Sequence, residues 1–574
     1  MDSRSAAHVL SQIAAFLELA GENRFKSRAY QMAARSLLAL GSDDLAPPLR
    51  SGELAEVRGL GPATLAVVRD LVETGESRYL EQLRAATPEG LLELTGVPGL
   101  GIEKIHKLHA ELGIASLADL ESAAESGKLA TIKGMGPKTA KKILAGIAFM
   151  RNAGVLMLYP HAIAQANGLL AAVRSHPDVV RAEIAGSLRR RREVVGDVDI
   201  VAACAVKPEL VAQSFTRVGG IRSASENGGV ATVRYVDGTK LDLYCVTPPE
   251  FATAFWRATG SNDHVDSVRE RLAARGTRIV GDSLVREPGR NLVVDDEAAV
   301  YATASLPWIP PELREGLGEI EAAAKKSLPR LVELQDIRGV LHCHSQYSDG
   351  KATIAEMAEA ARAKGWSYLG ISDHSQAAFY ASGVLREAML EQHDEIDALN
   401  AKTPDFRVLK GVEADILADG GLDYDEELLS RFDYVIASIH SRFKMDGAAM
   451  TERVLRAMDS PYMTILAHPT GRLLLSRDAY AIDVEAVLQK AALVGVAVEV
   501  NADPKRLDLD WRYLHHAKEL GVTIEIGPDA HSRGGLEWTE LGVAMARKGW
   551  LERADVLNTR DATAIVDFAR RRKK

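Results

Sequence analysis

Three aspartates in the middle of the chain have the spacing of a divalent-cation site. Asp197 and Asp199 are two residues apart at the start of a strand-like run, so strand alternation puts both carboxylates on one face. An expected hairpin partner, K-L-D-L-Y-C-V, follows the turn dipeptide D-G and presents Lys240 and Asp242 on one face. Converging carboxylates repel one another unless cations lie between them. Two such cations are the arrangement that phosphoryl transfer requires.

Gly186, Ser187 and Arg190 lie just upstream of these aspartates, in the segment G-S-L-R-R-R-R. Their backbone amides, hydroxyl and fixed cation suit the oxygens of a triphosphate. The D-x-D spacing alone also fits a solvated strand end, but the glycine-serine pair and the third aspartate favour a catalytic site. We interpret Arg191 and Arg192 as part of a solvated, charged face.

These motifs, together with T-G-S at 259–261, resemble those of the family X DNA polymerases, repair enzymes with a nucleotidyltransferase fold that fill short gaps. The resemblance covers residues 1–320. It implies that Asp197 and Asp199 bind both metals, and that Asp242 is a ligand that accepts the proton of the primer hydroxyl. It also implies nucleotide contacts from Gly186, Ser187, Arg190, Lys240, Gly260, Ser261 and Arg269, with Arg269 touching the template minor groove.

The sequence departs from that family in the expected sugar and base pocket. Arg257 and Ala258 precede T-G-S, where the family usually has aromatic residues or a His-Phe pair, and Val265 replaces an asparagine. We therefore expect weak selection against ribonucleotides. The chain has no lysine between Lys26 and Lys104, where lyase-competent relatives carry their Schiff-base lysine, so we expect that lyase activity to be absent.

A second set of potential metal ligands lies in the C-terminal part of the chain. In L-H-C-H-S-Q-Y-S-D-G, His342 and His344 point the same way if the run is a strand, as two imidazole ligands of one metal do. A single histidine is more often structural, but here the candidates accumulate at the carboxyl ends of expected strands, where β/α barrels do chemistry. The further candidates are Asp373, His374, Glu413, His440, His468, Asp529 and His531.

This part resembles the PHP (polymerase and histidinol phosphatase) domain, a metal-dependent phosphoesterase fold, over about residues 330–574. The resemblance implies a trinuclear cluster and hydrolysis of DNA as a 3′–5′ exonuclease, in some relatives with cutting at abasic sites. All nine ligand positions are filled, by His342, His344, Asp349, His374, Glu413, His440, His468, Asp529 and His531. Mixed imidazole and carboxylate ligands suit Mn²⁺, Zn²⁺ or Fe²⁺. Glu499 and Asn501 fit a supporting or substrate-contacting role less strongly.

A glycine motif repeats three times in the first 150 residues, as V-R-G-L-G-P, V-P-G-L-G-I and I-K-G-M-G-P at 57–62, 97–102 and 132–137. Each copy precedes a helical stretch whose free N–H groups form an anion site. The motifs resemble helix-hairpin-helix units, which bind the DNA backbone without reading sequence. The expected DNA contacts are Gly59, Gly61, Gly99, Gly101, Gly134, Gly136 and Lys138.

The alternation of predicted elements indicates a multidomain chain. We expect an all-α helix-hairpin-helix region, a mixed α/β nucleotidyltransferase palm with a small thumb, and a distorted β/α barrel of the PHP type. One amphipathic helix, Leu317 to Leu334, is expected to be the linker. The expected domains are 1–90, a helix-hairpin-helix domain; 91–150, fingers; 151–250, palm; 251–315, thumb; 316–334, linker helix; and 335–574, PHP domain.

The composition is that of an ordinary globular protein, with 574 residues, 47% hydrophobic and 26% charged. It excludes fibrous and disordered classes. The chain has 3 cysteines, which are far apart in sequence, and it has no signal-like or membrane-length apolar run. Both features favour a cytoplasmic protein. A net charge of -9 does not exclude nucleic acid, because local basic surfaces are compatible with it.

Together these features predict a DNA-directed DNA polymerase with a metal-dependent 3′–5′ exonuclease. The expected substrates are gapped or nicked DNA with a primer 3′ end, and deoxynucleoside triphosphates. The chain is expected to be a monomer without membrane contact. The expected cofactors are two Mg²⁺ or Mn²⁺ in the palm and up to three Mn²⁺, Zn²⁺ or Fe²⁺ in the barrel. Two alternatives remain: a DNA-end-binding scaffold with a degenerate pocket, and a DNA-tethered phosphatase of small phosphoesters.

Overall fold

The computed structural model describes residues 3–19, 24–40, 45–57, 59–75, 77–86, 91, 94, 97, 100, 102–132, 135–152, 156–235 and 238–572. The chain forms two compact units, Met1–Gly154 and Val155–Lys574, each with hydrophobic cores of its own. No helix within these described ranges is both long and apolar enough to cross a bilayer.

The first unit is helical, as predicted. Helices α5, α7 and α9 begin at the last residue of the three glycine motifs, so each motif does lead into a helix. Their apolar faces bury residues such as Val68, Leu108 and Ile147. The helices are α1 Ser3–Leu19, α2 Arg24–Leu40, α3 Ala46–Ser51, α4 Glu53–Glu56, α5 Pro62–Thr74, α6 Arg78–Ala86, α7 Ile102–Leu112, α8 Leu117–Glu125 and α9 Pro137–Asn152.

The second unit begins with a mixed sheet of order β2-β4-β7-β6-β5. Its face that carries Ile200 and Leu243 packs on helices α10 and α12, and its other face packs on α13. The elements are β1 Met157–Leu158, α10 Tyr159–Arg174, β2 Val179–Ile184, α11 Gly186–Arg189, β3 Val194–Val195, β4 Val198–Cys204, α12 Pro208–Phe215, β5 Ile221–Asn227, β6 Val230–Tyr235, β7 Lys240–Val246 and α13 Phe251–Thr259.

The sequence suggested that strand β7 is the hairpin partner of the D-x-D strand, and this prediction is wrong. It forms its hairpin with β6 and runs parallel to β4, so strands distant in sequence bring the aspartates together. A small subdomain follows, with a three-stranded antiparallel sheet. Its elements are α14 Asn262–Ala273, β8 Thr277–Val280, β9 Ser283–Arg286, β10 Arg290–Leu292 and α15 Glu297–Thr303.

The predicted linker helix over 317–334 is wrong. The structure has only the short helix α16, Glu319–Ala324, in that region. Lys326 has a positive φ of 56° and Pro329 lacks an N–H group, and both features oppose a continued helix. The rest of the segment up to Glu333 is not helical, and Val332 donates a backbone hydrogen bond of 2.9 Å to Leu551, so the segment packs on the C-terminal part.

The C-terminal part is a distorted barrel of short parallel strands in two sheets, β11-β12-β13 and β14 to β18 in order. Backbone bridges between His374 and Glu413 and between Cys343 and Ala530 join the two sheets. The elements are β11 Gly339–Val340, α17 Ile354–Ala363, β12 Tyr368–Ile371, α18 Arg386–Lys402, β13 Arg407–Lys410, β14 Glu413–Asp415, α19 Glu426–Leu429, β15 Ile436–Ser438, α20 Gly447–Ala457, β16 Ile465–Leu466, α21 Val484–Val494, β17 Ala497–Asn501, α22 Leu514–Glu519, β18 Ile524–Gly527, α23 Thr539–Lys548 and α24 Ala562–Arg572.

Candidate active sites

The three aspartates of the mixed sheet converge. The parallel register of β4 and β7 places Asp199 opposite Asp242, and Asp197 directly precedes β4. The Lys240 ammonium lies 3.1 Å from an Asp197 oxygen and 2.6 Å from an Asp242 oxygen. The Thr232 hydroxyl donates to Asp242 over 2.6 Å. The sheet therefore supplies a compact carboxylate site with one lysine beside it.

Negative charge is unfavourable at Asp199. Burial, and then the nearby carboxylates Asp197 and Asp242, raise the pKa of Asp199 to about 7. Full ionisation of the triad therefore needs more positive charge than Lys240 provides. Carboxylate oxygens at this spacing are suitable ligands for divalent cations, which fits the expected metals.

The turn at Gly186 is built against the triad. Gly186 has a φ of +63°, and a Cβ there would lie 1.8 Å from an Asp199 oxygen, so only glycine fits. The buried hydroxyl of Ser187 has no hydrogen-bond partner among the described residues. A buried polar atom without a partner next to the carboxylates fits a bound phosphate oxygen.

Arg190, Arg191 and Arg192 do not form a solvated face. Arg190 donates to the Thr259 carbonyl over 2.8 Å and to Glu315 over 3.2 Å, so it supports the T-G-S segment. Arg191 donates to the Tyr159 hydroxyl and lies 3.4 Å from Glu540. Arg192 lies 3.5 Å from Glu315. The interpretation of Arg191 and Arg192 as a solvated face is wrong, because both contact the barrel. Arg191 lies near Glu540, and the Arg192 guanidinium lies 5.8 Å from the centre of the Trp511 ring.

The T-G-S segment joins this turn to helix α14. Ser261 caps the helix by accepting from the His264 backbone N–H at 3.2 Å. Gly260 is needed because a Cβ there would lie 2.8 Å from Val265. Arg269 is on the exposed side of the helix and lies 3.3 Å from Asp266. Hydrogen bonds from Arg189 and Arg190 to Thr259 thus connect the T-G-S segment to the Gly186 turn, whereas the ion pair of Arg269 is local.

The glycine motifs of the first unit are described in part. Gly59 has a φ of +100°, and a Cβ there would lie 2.6 Å from the Ser36 hydroxyl. Gly61 is the N-cap of α5, and Gly136 directly precedes α9. Gly99, Gly101 and Gly134 lie outside the described residues, and Lys138 is on α9 with its side chain not described.

All nine expected barrel ligands come together in one cluster. They form four overlapping groups whose potential ligand atoms lie within 4.8 Å of one another. Strand β11 ends at Val340, so His342 and His344 lie beyond it, yet their rings are 5.2 Å apart and face the same site. The groups are His344, Asp349, His374 and His531; His342, Glu413 and His468; His342, His344 and Asp529; and His374, Glu413 and His440.

Glu413 is the centre of this cluster. Its carboxylate lies 2.9 Å from a ring nitrogen of His374, 3.3 Å from one of His440 and 2.9 Å from one of His468. Burial opposes its charge, but the surrounding imidazoles hold the pKa of Glu413 well below its usual range. An ionised, fully buried carboxylate among imidazoles is suited to bridge metal ions.

The donor atoms fit a metal cluster. Within the described parts of the chain, Nε2 of His342, both ring nitrogens of His344 and Oε2 of Glu413 are buried without a hydrogen-bond partner. Buried polar atoms are normally satisfied, and metal coordination would satisfy all of these.

A second layer of side chains orients the ligands. Glu499 accepts a short bond of 2.5 Å from Nδ1 of His342, and Asn501 donates to Asp529 over 3.1 Å. Asp373 is outside the ligand groups; it accepts from the Ser345 backbone at 2.8 Å and from Gln392 at 2.7 Å. It therefore supports the ligand loop rather than offering a ligand atom.

Sequence reasoning missed two residues of this site. Asp415 lies 2.7 Å from Nδ1 of His440 and fixes that ring. Its spacing of two residues from Glu413, which shares a strand face with it, is the signal that could have identified it. Arg506 lies 3.5 Å from Asp529 and is a cation beside the cluster. No motif in the sequence marks Arg506.

Sequence comparisons identify the family of the chain. Four family models match: a helix-hairpin-helix domain at 1–77, a SAM-like helix-hairpin-helix tandem at 91–148, a DNA polymerase beta thumb at 254–315 and a PHP domain at 341–527. The chain is 38% identical over 576 residues to the DNA polymerase/3′-5′ exonuclease PolX of Bacillus subtilis (strain 168), and the match covers 100% of both proteins. The chain belongs to the family X DNA polymerases with a C-terminal PHP domain.

Other relatives match a smaller part of this family X chain. A probable phosphatase of Thermoanaerobacter sp. (strain X514) is 30% identical over 245 residues, covering 41% of the chain and 94% of the relative. A probable phosphatase of Shewanella sp. (strain ANA-3) is 34% identical over 142 residues, covering 23% of the chain and 54% of the relative. The multidomain fold and the helix-hairpin-helix, thumb and PHP assignments made from the sequence are confirmed.

Proposed function

We propose that this chain is a DNA-directed DNA polymerase acting in gap-filling repair, and that its PHP domain removes nucleotides from DNA 3′ ends. The observation that carries the proposal is the presence of two complete and separate carboxylate-containing sites in one chain of the PolX family. The substrates follow from it: DNA with a primer 3′ end, and deoxynucleoside triphosphates.

In the polymerase site, Asp197, Asp199 and Asp242 would hold divalent cations, for which we propose two Mg²⁺ or Mn²⁺. Bound cations would supply charge stabilisation for phosphoryl transfer. Asp242 is the proposed acceptor of the primer hydroxyl's proton. Ser187 and the backbone at Gly186 are proposed to bind triphosphate oxygens, supported by the unpartnered Ser187 hydroxyl beside the triad.

Further nucleotide contacts from Lys240, Gly260, Ser261 and Arg269 remain proposals. For Arg190 we propose an indirect role, because its hydrogen bonds go to Thr259 and Glu315. The glycine motifs are proposed to bind the DNA backbone through helix N-termini. In the first motif, these residues are Gly59 and Gly61.

In the PHP domain, the nine clustered residues would hold up to three Mn²⁺, Zn²⁺ or Fe²⁺ ions. These ions would supply an activated water and polarise the phosphodiester. Glu413 would contribute ligand atoms at the centre of this cluster, while Glu499 and Asp415 orient His342 and His440. The domain boundaries, the monomeric state and a cytoplasmic location remain proposals.

Nucleotide incorporation by an Asp197→Ala, Asp199→Ala double variant tests the polymerase. We expect incorporation on a gapped primer-template, with Mg²⁺ or Mn²⁺, to fall by orders of magnitude. Binding of the same DNA, measured by fluorescence anisotropy, should change little because the hairpins bind elsewhere. An Asp295→Ala variant, altered at an exposed aspartate, is the matched control. Retained incorporation in the double variant would contradict the proposal.

A further inference from the structure

A tightly closed loop follows the metal-site residue His374. Val384 donates a backbone bond of 2.9 Å to the His374 carbonyl, and Gly383 donates one of 3.0 Å to Ala378. A Cβ at Gly383 would lie 2.2 Å from the Ser375 carbonyl oxygen, so this closure requires glycine. Ala378 is fully buried. The loop is thus fixed at its base to the cluster.

The tip of this loop exposes two aromatic side chains. Phe379 is 88% exposed and Tyr380 is 67% exposed. Contiguous exposed aromatic residues on a well-fixed loop are a common feature of binding surfaces, because their exposure has no benefit for folding. These two residues are hereafter the aromatic tip.

The aromatic tip lies beside the metal ligands. The Tyr380 ring centroid is 6.1 Å from that of His374 and 5.6 Å from that of His440, both in edge-on geometry. Among the ligand side chains, Asp349 and His531 are the exposed ones, at 35% and 36%. Asp349 also lies 3.8 Å from His374, so the open side of the cluster adjoins the ring that Tyr380 contacts.

A partly exposed cation completes the surroundings. Arg506 lies 3.5 Å from Asp529, and its side chain is 21% exposed. An arginine beside the cluster suits a phosphodiester oxygen. Aromatic faces beside a phosphate site are the combination by which proteins bind single-stranded nucleic acid, since every base has a π-face.

We propose that Phe379 and Tyr380 form a stacking subsite for the unpaired base at the 3′ end of DNA, which places its phosphodiester at the PHP cluster. This inference rests on the proposed nuclease function and deepens it. A base inside a duplex is covered on both faces by its neighbours, so the subsite selects a frayed or single-stranded 3′ end. Small phosphoesters without a base gain nothing from it.

Steady-state hydrolysis by a Phe379→Ala, Tyr380→Ala variant tests the subsite. The substrate is a 5′-labelled single-stranded oligonucleotide with Mn²⁺, in parallel with the same oligonucleotide ending in a tetrahydrofuran abasic residue. We expect KM for the normal 3′ end to rise at least about tenfold with kcat nearly unchanged, from the loss of stacking. On the abasic end, wild type and variant should have the same KM.

Three controls separate stacking from damage to the cluster. Phe379→Trp with Tyr380→Phe should restore KM, because the faces remain aromatic. Bound metal, measured by inductively coupled plasma mass spectrometry, should be equal in all variants. Leu493→Ala, at a residue 81% exposed on α21, should leave KM unchanged.

The outcomes distinguish the two proposals. Equal KM for wild type and the double alanine variant on the normal end overturns the stacking subsite while the nuclease stands. An equal loss on the normal and abasic ends also overturns it, because the effect would not depend on the base. A wild type that hydrolyses no DNA overturns the nuclease function, and the subsite with it.

Discussion

The Lys548 ammonium, at the end of a PHP-domain helix, lies 2.6 Å from the carboxylate of Glu315, the last residue of the thumb match. Both side chains are buried, and the same ammonium donates to the Arg190 carbonyl over 2.9 Å. Arg190 immediately follows the Gly186 turn, so the PHP domain contacts the segment that presents Ser187. The two catalytic halves are therefore physically joined beside the proposed triphosphate site.

Lys548→Met should weaken this junction. Removal of one partner from a buried ion pair leaves the other charge uncompensated, at a cost on the order of 3 kcal/mol, although Arg190 and Arg192 reduce it. We expect a lower melting temperature and a higher KM for deoxynucleoside triphosphates. Lys518→Met, which breaks a more exposed pair with Glu552, is the control. An unchanged KM would show that the junction does not support the nucleotide site.

Gly186→Ala should abolish polymerisation while DNA hydrolysis continues. The new Cβ would occupy the space of the Asp199 carboxylate, and a φ of +63° adds strain. We expect incorporation to fall by at least about a hundredfold, because a misplaced triad ligand disrupts reacting geometry. Gly219→Ala, with nothing within 4 Å of its added Cβ, should behave as wild type. Normal incorporation by the Gly186 variant would argue against the site.

Ribonucleotide use is a separate prediction from the sugar pocket. Val265 is buried, and Arg257 forms an ion pair with Asp282 at 2.6 Å. Neither side chain is therefore placed to exclude the 2′-hydroxyl of a ribonucleotide. We expect ribonucleotides to be incorporated at a rate comparable to deoxynucleotides in single-nucleotide gap assays. A discrimination of about a thousandfold, roughly 4 kcal/mol, would show that another residue is the gate.

Glu297 should make the free energy of unfolding decrease as the solution becomes acidic. Burial favours its neutral form, but the hydrogen bonds from Arg189 and the charge of Arg314 lower the pKa of Glu297 to about 2. A carboxyl group whose pKa is lower in the folded than in the unfolded protein stabilises the fold at pH values above the unfolded pKa. For Glu297 this stabilisation is lost as the pH falls from about 4.5 towards 2. The full contribution is about 3 kcal/mol.

Melting temperatures of Glu297→Gln and wild type, measured from pH 7 to pH 3, check this prediction. The variant should melt lower at pH 7, and the gap should narrow below about pH 4.5. Glu183→Gln, at a more exposed pair with Arg174, should show a small gap that changes little. A constant gap for Glu297→Gln would contradict the assigned role.

The sequence predicted the parts of the sites that depend on local spacing. Asp197 with Asp199, and His342 with His344, are close in sequence, so strand periodicity alone indicates a shared face. Asp415 has the same spacing from Glu413 and could have been predicted. Strand ends at one barrel face account for the rest of the cluster.

The features that failed depend on long-range packing. Glu315 and Lys548 are 233 residues apart, and nothing in either segment indicates the other. For the same reason Arg191 and Arg192 were interpreted as a solvated face, although they contact Glu540 and Trp511 of the barrel. The linker helix predicted over 317–334 was wrong because the apolar residues of its C-terminal part pack on the barrel without forming a helix, with Val332 bonded to Leu551.

The central claim is that two independent active sites share one chain. The most direct measurement follows incorporation and 3′-end degradation in parallel, with Mn²⁺ or Zn²⁺, for wild type, His344→Ala, His440→Ala and the Asp197→Ala, Asp199→Ala double variant. The histidine variants should lose degradation and bound metal but keep polymerisation, and the aspartate variant should do the reverse. Degradation that persists in the histidine variants but vanishes with the aspartates would contradict the account.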